Sequence, residues 1–154
     1  FNTWLSYTYS KNQYQFKNLN DGEAFANTLD LTQVVNASFM YTKKQFKIGI
    51  GMNWHSGRPF TKPSTNQNTN NAEIEYEAPN SSRLSDYFRT DISATYNFKL
   101  SKGIAVEAAA SVWNIFNQTN IINRFYTLDA DDSIIEINNR SLNFTPNFSL
   151  RLNF

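Results

Sequence analysis

His55 is the only histidine in the chain, and there is no cysteine. A zinc site needs three or four His, Cys or carboxylate ligands brought together. One histidine without a thiolate cannot begin such a set, so His55 reads as a polar residue where a strand meets a loop. Asp129, Asp131 and Asp132 crowd one short stretch. Calcium asks for about six to eight oxygens, and this run lacks the spaced glycine of a binding loop, so it reads as a solvated loop tip. Glu73, Glu75 and Glu77 alternate with Ile74 and Tyr76. That is the pattern of a strand continuing past its sheet, not of two carboxylates set for acid–base work. The chain has no nucleophile–base set, phosphate loop or metal spacing, so the expectation is a non-enzymatic protein without a cofactor.

Binding is the better prospect. Arg58 lies in Ser56-Gly57-Arg58-Pro59. Glycine and proline there serve a turn, while the guanidinium could reach an anionic ligand. Trp4 and Trp113 occupy the polar parity of their segments. Their rings could stack on a sugar or a chelate, or supply packing area. Arg89 and Asp91 share the polar parity of one segment and join them as candidate contacts.

These residues need elements to hold them. The chain has 154 residues, 40% of them hydrophobic, and no apolar run near the roughly 18 residues of a membrane helix. Aromatics nevertheless make up 16%, and the apolar residues come at every second position. That is how a membrane β-strand escapes a hydropathy window. The net charge of +1 is scattered, which argues against nucleic acid as a partner. The chain starts at Phe1 without Met or a signal peptide, and reads as a segment of a longer exported protein.

The parity predicts six strands, at about 1–10, 29–41, 46–55, 87–100, 104–117 and 144–154. In the third, Phe46, Ile48, Ile50, Met52 and Trp54 oppose Lys47, Gly49, Gly51 and Asn53. In the sixth, Phe148, Leu150, Leu152 and Phe154 oppose Asn147, Ser149, Arg151 and Asn153. Connections alternate between short (42–45, 101–103) and long (11–28, 56–86, 118–143). Within the long ones, Ser64 to Asn71 is a polar low-complexity stretch that reads as mobile. Short turns at one end and long loops at the other are the layout of an outer-membrane barrel.

Charge supports that layout. Within these segments Asp30, Lys47, Arg89, Asp91, Glu107 and Arg151 share the polar parity, and the apolar parity carries none. A Lys or Arg facing mid-membrane lipid costs about 2–4 kcal/mol, whereas a watery lumen tolerates it. Aromatics of the apolar parity gather at both ends. Tyr41, Phe46, Phe98 and Phe154 lie by the short turns; Tyr9, Trp54, Phe88, Phe116 and Phe148 lie towards the long loops. Such belts suit the two bilayer interfaces. Short turns would then face the periplasm and long loops the outside. Six strands are too few for a barrel of at least about eight, so the sixth needs a partner strand from elsewhere.

Several motifs resemble the last third or less of the barrel of TonB-dependent outer-membrane receptors, of the kind abundant in Bacteroidetes. They are WLSYTYSK (Trp4 to Lys11), SGRPFT (Ser56 to Thr61), RLSDYFRTDISATYNF (Arg83 to Phe98), VWNIFNQTN (Val112 to Asn120) and FTPNFSLRLNF (Phe144 to Phe154). Each is modestly specific; their order over nearly the whole chain is more so. Gln33 departs from the histidine that often follows Asp-x-Thr in these receptors. The resemblance implies an all-β segment of about six antiparallel transmembrane strands within a barrel of about 22, plugged by an N-terminal domain lying upstream. It implies active import of a nutrient of siderophore, cobalamin, oligosaccharide or peptide class. Partners would be outer-membrane lipid, the rest of the barrel and its plug, the TonB complex reached through the upstream part, the barrel-assembly machinery and a surface lipoprotein lid. Arg58, Trp4, Trp113, Arg89 and Asp91 would face lumen ligand or plug. Phe148, Leu150, Leu152 and Phe154 would form the assembly signal, readable by edge pairing and alternate side-chain pockets. A passive pore or a barrel anchoring a surface assembly is the alternative; an extracellular lectin-like sandwich is the soluble one.

Overall fold

Alternating sequence gives strands because side chains of an extended backbone point to opposite faces at every step. The computed structural model describes residues 1–67 and 73–154. It is an all-β structure without an α-helix among those residues. In chain order the strands are β1 (Asn2–Tyr9), β2 (Gln13–Tyr14), β3 (Phe25–Ala26), β4 (Gln33–Lys43), β5 (Phe46–His55), β6 (Pro59–Phe60), β7 (Ser82–Arg83), β8 (Tyr87–Ser101), β9 (Ile104–Trp113), β10 (Ile121–Leu128), β11 (Ile134–Arg140) and β12 (Thr145–Asn153).

Six of them form one antiparallel sheet in the order β1-β4-β5-β8-β9-β12. It is an open sheet, not a closed barrel: β1 and β12 are its edges and do not pair with each other. The pairs β2–β3, β6–β7 and β10–β11 are separate two-stranded ladders in the long connections. The short turns are tight. Lys44 takes φ 53° between β4 and β5, and Gly103 takes φ 96° between β8 and β9, a region that glycine enters without a Cβ penalty.

Register converts the two parities into two continuous faces. One row crosses Phe39, Ile50, Ile92 and Val112; the next crosses Tyr41, Ile48, Ala94, Ala110 and Phe148. On the other face a row crosses Asn36, Asn53 and Arg89, and its neighbour crosses Trp4, Ser38, Gly51 and Asp91. Lys47, Lys99, Glu107 and Arg151 share the parity of that polar face. Lys43, the final residue of β4 at the turn, has the apolar parity. Among the described residues neither face is covered: the main contacts run along the ladders, and no second sheet packs on this one, unlike a sandwich. Among the described residues the buried hydrophobics are only Phe25, Leu84 and Val106, and the most deeply buried side chains are Asn114, Asn120 and Asp30.

Several sequence expectations change. The second strand begins at Gln33, not at residue 29, because Asn27 Oδ1 accepts from Leu29 N–H (2.7 Å) and turns the chain. Asp30 is therefore a loop residue. The fifth strand stops at Trp113, not at residue 117. Asn114 and Asn117 take φ near 53° and 52°, and Asn117 N–H closes a turn on Asn114 O (2.8 Å). Phe116 consequently lies off the strand, though its ring still stacks with Phe88 at 6.4 Å. Phe154 follows the last residue of β12 rather than belonging to it. Glu73, Glu75 and Glu77 do not prolong a strand: an isolated bridge joins Pro63 to Tyr76 instead. Residues 68–71 of the low-complexity stretch lie outside the described residues; Gln67 beside them is tied to Ser64 O (2.7 Å) and Glu75 O (2.9 Å). The connection 118–143 is a hairpin, β10–β11.

Candidate functional site

The polar face holds most of the candidate residues, and the ladders bring them together from distant parts of the chain. Trp4 on β1, Asn36 on β4, Gly51 and Asn53 on β5, and Tyr87, Arg89 and Asp91 on β8 line one concavity of about 380 Å³. A second, about 350 Å³, continues past Gly51 and Asp91 to Gly49, Ser93, Ser111 and Trp113. The two form one trough. Gly51 makes its floor: a Cβ there would meet nothing within 4 Å. Trp4, 56% exposed, and Trp113, 40% exposed, stand beside it.

The charges within the trough answer one another. Arg89 Nε donates to Asp91 Oδ1 (2.8 Å), and Arg89 Nη2 donates to Asp91 Oδ2 (2.6 Å). This is the two-pronged geometry in which arginine holds carboxylates best. The Arg89 guanidinium also lies 5.1 Å from the Trp113 ring centroid, a cation–π distance. Asp91 Oδ1 accepts the Asn114 N–H (2.9 Å) as well, so the pair anchors the end of β9. Beside them Asn53 Nδ2 donates to Asn36 Oδ1 across the ladder. His55 stacks on Tyr87 (4.7 Å, 7° between planes), with Nδ1 2.9 Å from Ser56 O. Among the described residues no group of three or more His, Cys, Asp or Glu could hold a metal.

Arg58 is not in the trough. It lies in the loop after β5, where its carbonyl accepts Leu84 N–H (2.9 Å). Asp129, Asp131 and Asp132 form the β10–β11 turn: Asp129 Oδ1 accepts from Asp131 N–H (3.0 Å) and Ser133 N–H (2.8 Å). Phe148, Leu150 and Leu152 project from β12 on the apolar face, and Phe148 is 83% exposed.

Two polar knots hold the long-loop end. Asp30, 2% exposed, accepts Asn12 N–H (2.7 Å), Thr32 Oγ1–H (3.1 Å) and a bond from Arg83 Nη2. Arg83 Nη1 also donates to Gly57 O (2.9 Å) and Asp30 O (3.2 Å). One guanidinium thus ties the connection before β4 to the one between β5 and β8. Burial pushes the Asp30 carboxyl up, but Arg83, Asn12 and Thr32 together outweigh it and hold it below the usual carboxylate value. Gly57 sits so close to Leu84 that a Cβ would lie 1.7 Å from its carbonyl oxygen. In the second knot Asn120 mimics a strand partner: Oδ1 accepts Phe88 N–H (2.9 Å) and Nδ2 donates to Phe88 O (2.8 Å). Asn114 Nδ2 reaches Gln118 O (2.8 Å) and Leu142 O (3.1 Å). The sequence reading missed both knots. Arg83 and Asp30 are ordinary surface types in ordinary motifs, and only the fold shows Asp30 buried with the half-open Arg83 bonded to it.

Comparison of the chain with protein-family models, with curated proteins and with solved structures finds no match in any of the three.

Proposed function

We propose that this chain forms part of the wall of an outer-membrane β-barrel of the TonB-dependent receptor type, a binding and transport protein that imports a nutrient. The observation that carries this reading is an uncovered sheet with one apolar and one polar face. Leu5, Phe39, Ile50, Phe148 and Leu150 are exposed on the first face, and Lys47, Arg89, Asp91, Glu107 and Arg151 have the parity of the second. In water such an apolar face would aggregate; against lipid it is at home, with the charges turned to a watery lumen. The two free edges fit the same reading. In lipid each unpaired N–H or C=O costs several kcal/mol, so β1 and β12 call for further strands on either side. The Asp30–Arg83 and Asn120 knots supply a firm mouth at the long-loop end, where a receptor meets its ligand.

In this reading the lumen side meets a plug domain, and energy arrives from the inner membrane through the TonB complex. Lipid, the barrel-assembly machinery and a surface lipoprotein lid complete the partners. The test uses the full-length protein in its own host. Outer-membrane fractionation, a heat-modifiable band on gels and uptake that stops when the TonB motor is removed are the results expected. Recovery in a soluble fraction without detergent would sink the membrane reading. Swelling of liposomes by the purified protein, without energised uptake, would instead make it a passive pore.

A further inference from the structure

We propose that the foot of the β8–β9 hairpin takes up an extended, acidic peptide segment of a periplasmic protein as an added strand. This rests on the reading above, in which the short turns face the periplasm. The first support is charge. Residues 41–47 and 97–105 hold Lys43, Lys44, Lys47, Lys99 and Lys102 and no carboxylate side chain. These lysines are exposed, and none forms an ion pair among the described residues. Glu107, further along β9, faces Arg151 at 3.7 Å. The long-loop end differs: there Lys62 meets Glu77 (3.6 Å) and Arg124 meets Glu136 (3.2 Å). Like charges gathered on two neighbouring turns repel one another, and an acidic partner relieves that repulsion.

The second support is backbone. β5 ends its pairing with β8 at Phe46 and Tyr96, and Asn97 N–H reaches Gln45 O (2.9 Å). β8 runs on to Ser101, paired there only with β9. Backbone groups of an antiparallel strand point alternately to its two sides. Asn97 N–H points towards β5, so Lys99 N–H and C=O point the same way, past the end of that strand. The chain turns back at Lys44 between β4 and β5, so no further strand of the barrel fills the gap. A donor and an acceptor are left on an open edge about 14 Å long, beyond the aromatic belt and in water. Beside it lies a concavity of about 480 Å³, lined in part by Gln45, Phe98, Lys99, Val106 and Asn153. It offers a seat for an apolar side chain of the segment. Leu100, which a bulge in β8 leaves without a partner, is exposed next to it.

Two competitors fit less well. Lysines on an edge deter strand addition by a like-charged chain, so they turn away a second copy of this protein, whose own foot is equally basic. They favour a segment of opposite charge. An anionic phospholipid would have to approach from the apolar side, yet Lys47 and Lys99 have the polar parity. Its phosphate also has no donor for the free Lys99 C=O.

The test titrates the full-length receptor in detergent with a short labelled peptide in which glutamate alternates with valine, followed by fluorescence anisotropy. Comparators are the same peptide with lysine for glutamate, the acidic peptide with a central proline, and a short-chain phosphatidylglycerol. The acidic peptide is expected to bind and the lysine peptide not. Lys99→Glu combined with Lys102→Glu should weaken binding by roughly tenfold. Lys11→Glu combined with Lys17→Glu, at the long-loop end, should leave it unchanged. The proline peptide lacks one N–H for the edge and should bind roughly fivefold more weakly. Lys99→Pro should bind more weakly than Lys99→Ala, because both lose the charge and only the first loses the edge N–H. Each variant should reach the outer membrane and keep its heat-modifiable band. No binding of the acidic peptide, or binding unmoved by the double reversal, overturns the inference. So does a proline peptide that binds as well as its parent, or a Lys99→Pro variant no weaker than Lys99→Ala. Phosphatidylglycerol that displaces the peptide and is itself lost in the double reversal assigns the foot to lipid and overturns it equally. Those results leave the receptor reading standing, whereas absence of the wild type from the outer membrane sinks that reading itself.

Discussion

Removing the Arg83 side chain should loosen the whole long-loop end. Asp30 is 2% exposed, and its carboxylate would keep only the Asn12 N–H and the Thr32 hydroxyl. Breaking a buried ion pair from one side costs about 3–5 kcal/mol. The Arg83 side chain is 39% exposed, however, so water can partly replace it. A charged hydrogen bond at this half-open site is worth about 2–3 kcal/mol. If the loops open as a unit, that converts to roughly 30- to 150-fold faster amide exchange. Hydrogen exchange of Arg83→Ala in detergent should show it at Asn12, Gly57 and Leu84, whose N–H groups bond to Asp30, Asp86 and Arg58. Asp30→Asn in the same background should restore most protection, because the carboxamide oxygen still accepts Asn12 N–H and no charge is left stranded. Exchange at these amides within threefold of wild type would refute the argument; so would failure of the second substitution to help. The pH dependence follows from the sign. Asp30 is depressed below its ordinary 3.8, so its contribution is complete above that value. It is lost only as the pH falls through the lower folded-state value, so wild-type protection should persist across neutral and mildly acidic pH.

Three further outcomes are expected. Gly57→Ala should displace the loop against Leu84, because its Cβ would lie 1.7 Å from a backbone oxygen; the cost is about 3 kcal/mol or more, read as lost protection at Leu84. Asn120→Ala strands both backbone groups of Phe88 and should cost about 2 kcal/mol in denaturant unfolding from lipid vesicles, with Asn120→Asp intermediate because it keeps the acceptor. Ile50→Lys and Ser38→Lys compare the faces: the first should destabilise folding into vesicles by about 2–4 kcal/mol and the second by under about 1, and equal effects would contradict the assignment of the lipid side.

The two-faced sheet was legible in the sequence because side-chain direction is a local property of an extended backbone. Phe46 to Trp54 alternate with Lys47 to Asn53 whatever else the chain does. The same criterion failed at β10–β11. There Ile121 and Ile122 are adjacent, and the face with Arg124 and Glu136 also carries Leu128 and Ile134, so no parity is wholly apolar. The β-branched cluster Ile134, Ile135 and Ile137 was the signal available. Strand ends were blurred for a related reason: Asn27 and Asn114 turn the chain through side-chain bonds, which apolar spacing does not record.

The candidate site divides in the same way. Sequence alone put Trp4, Trp113, Arg89 and Asp91 on the polar parity of their strands, since period two needs no partner. It could not separate Arg58 from them. Only the tertiary structure joined β1 to β9 in a register that makes one trough over Gly51 and left Arg58 in a loop outside it. It alone turned Arg89 from a free cation into the partner of Asp91 and Trp113. It also brought Arg83 to Asp30 across 53 residues and Asn120 to Phe88 across 32. Those meetings depend on how loops close and which strands are neighbours, and no local pattern of residues carries that information.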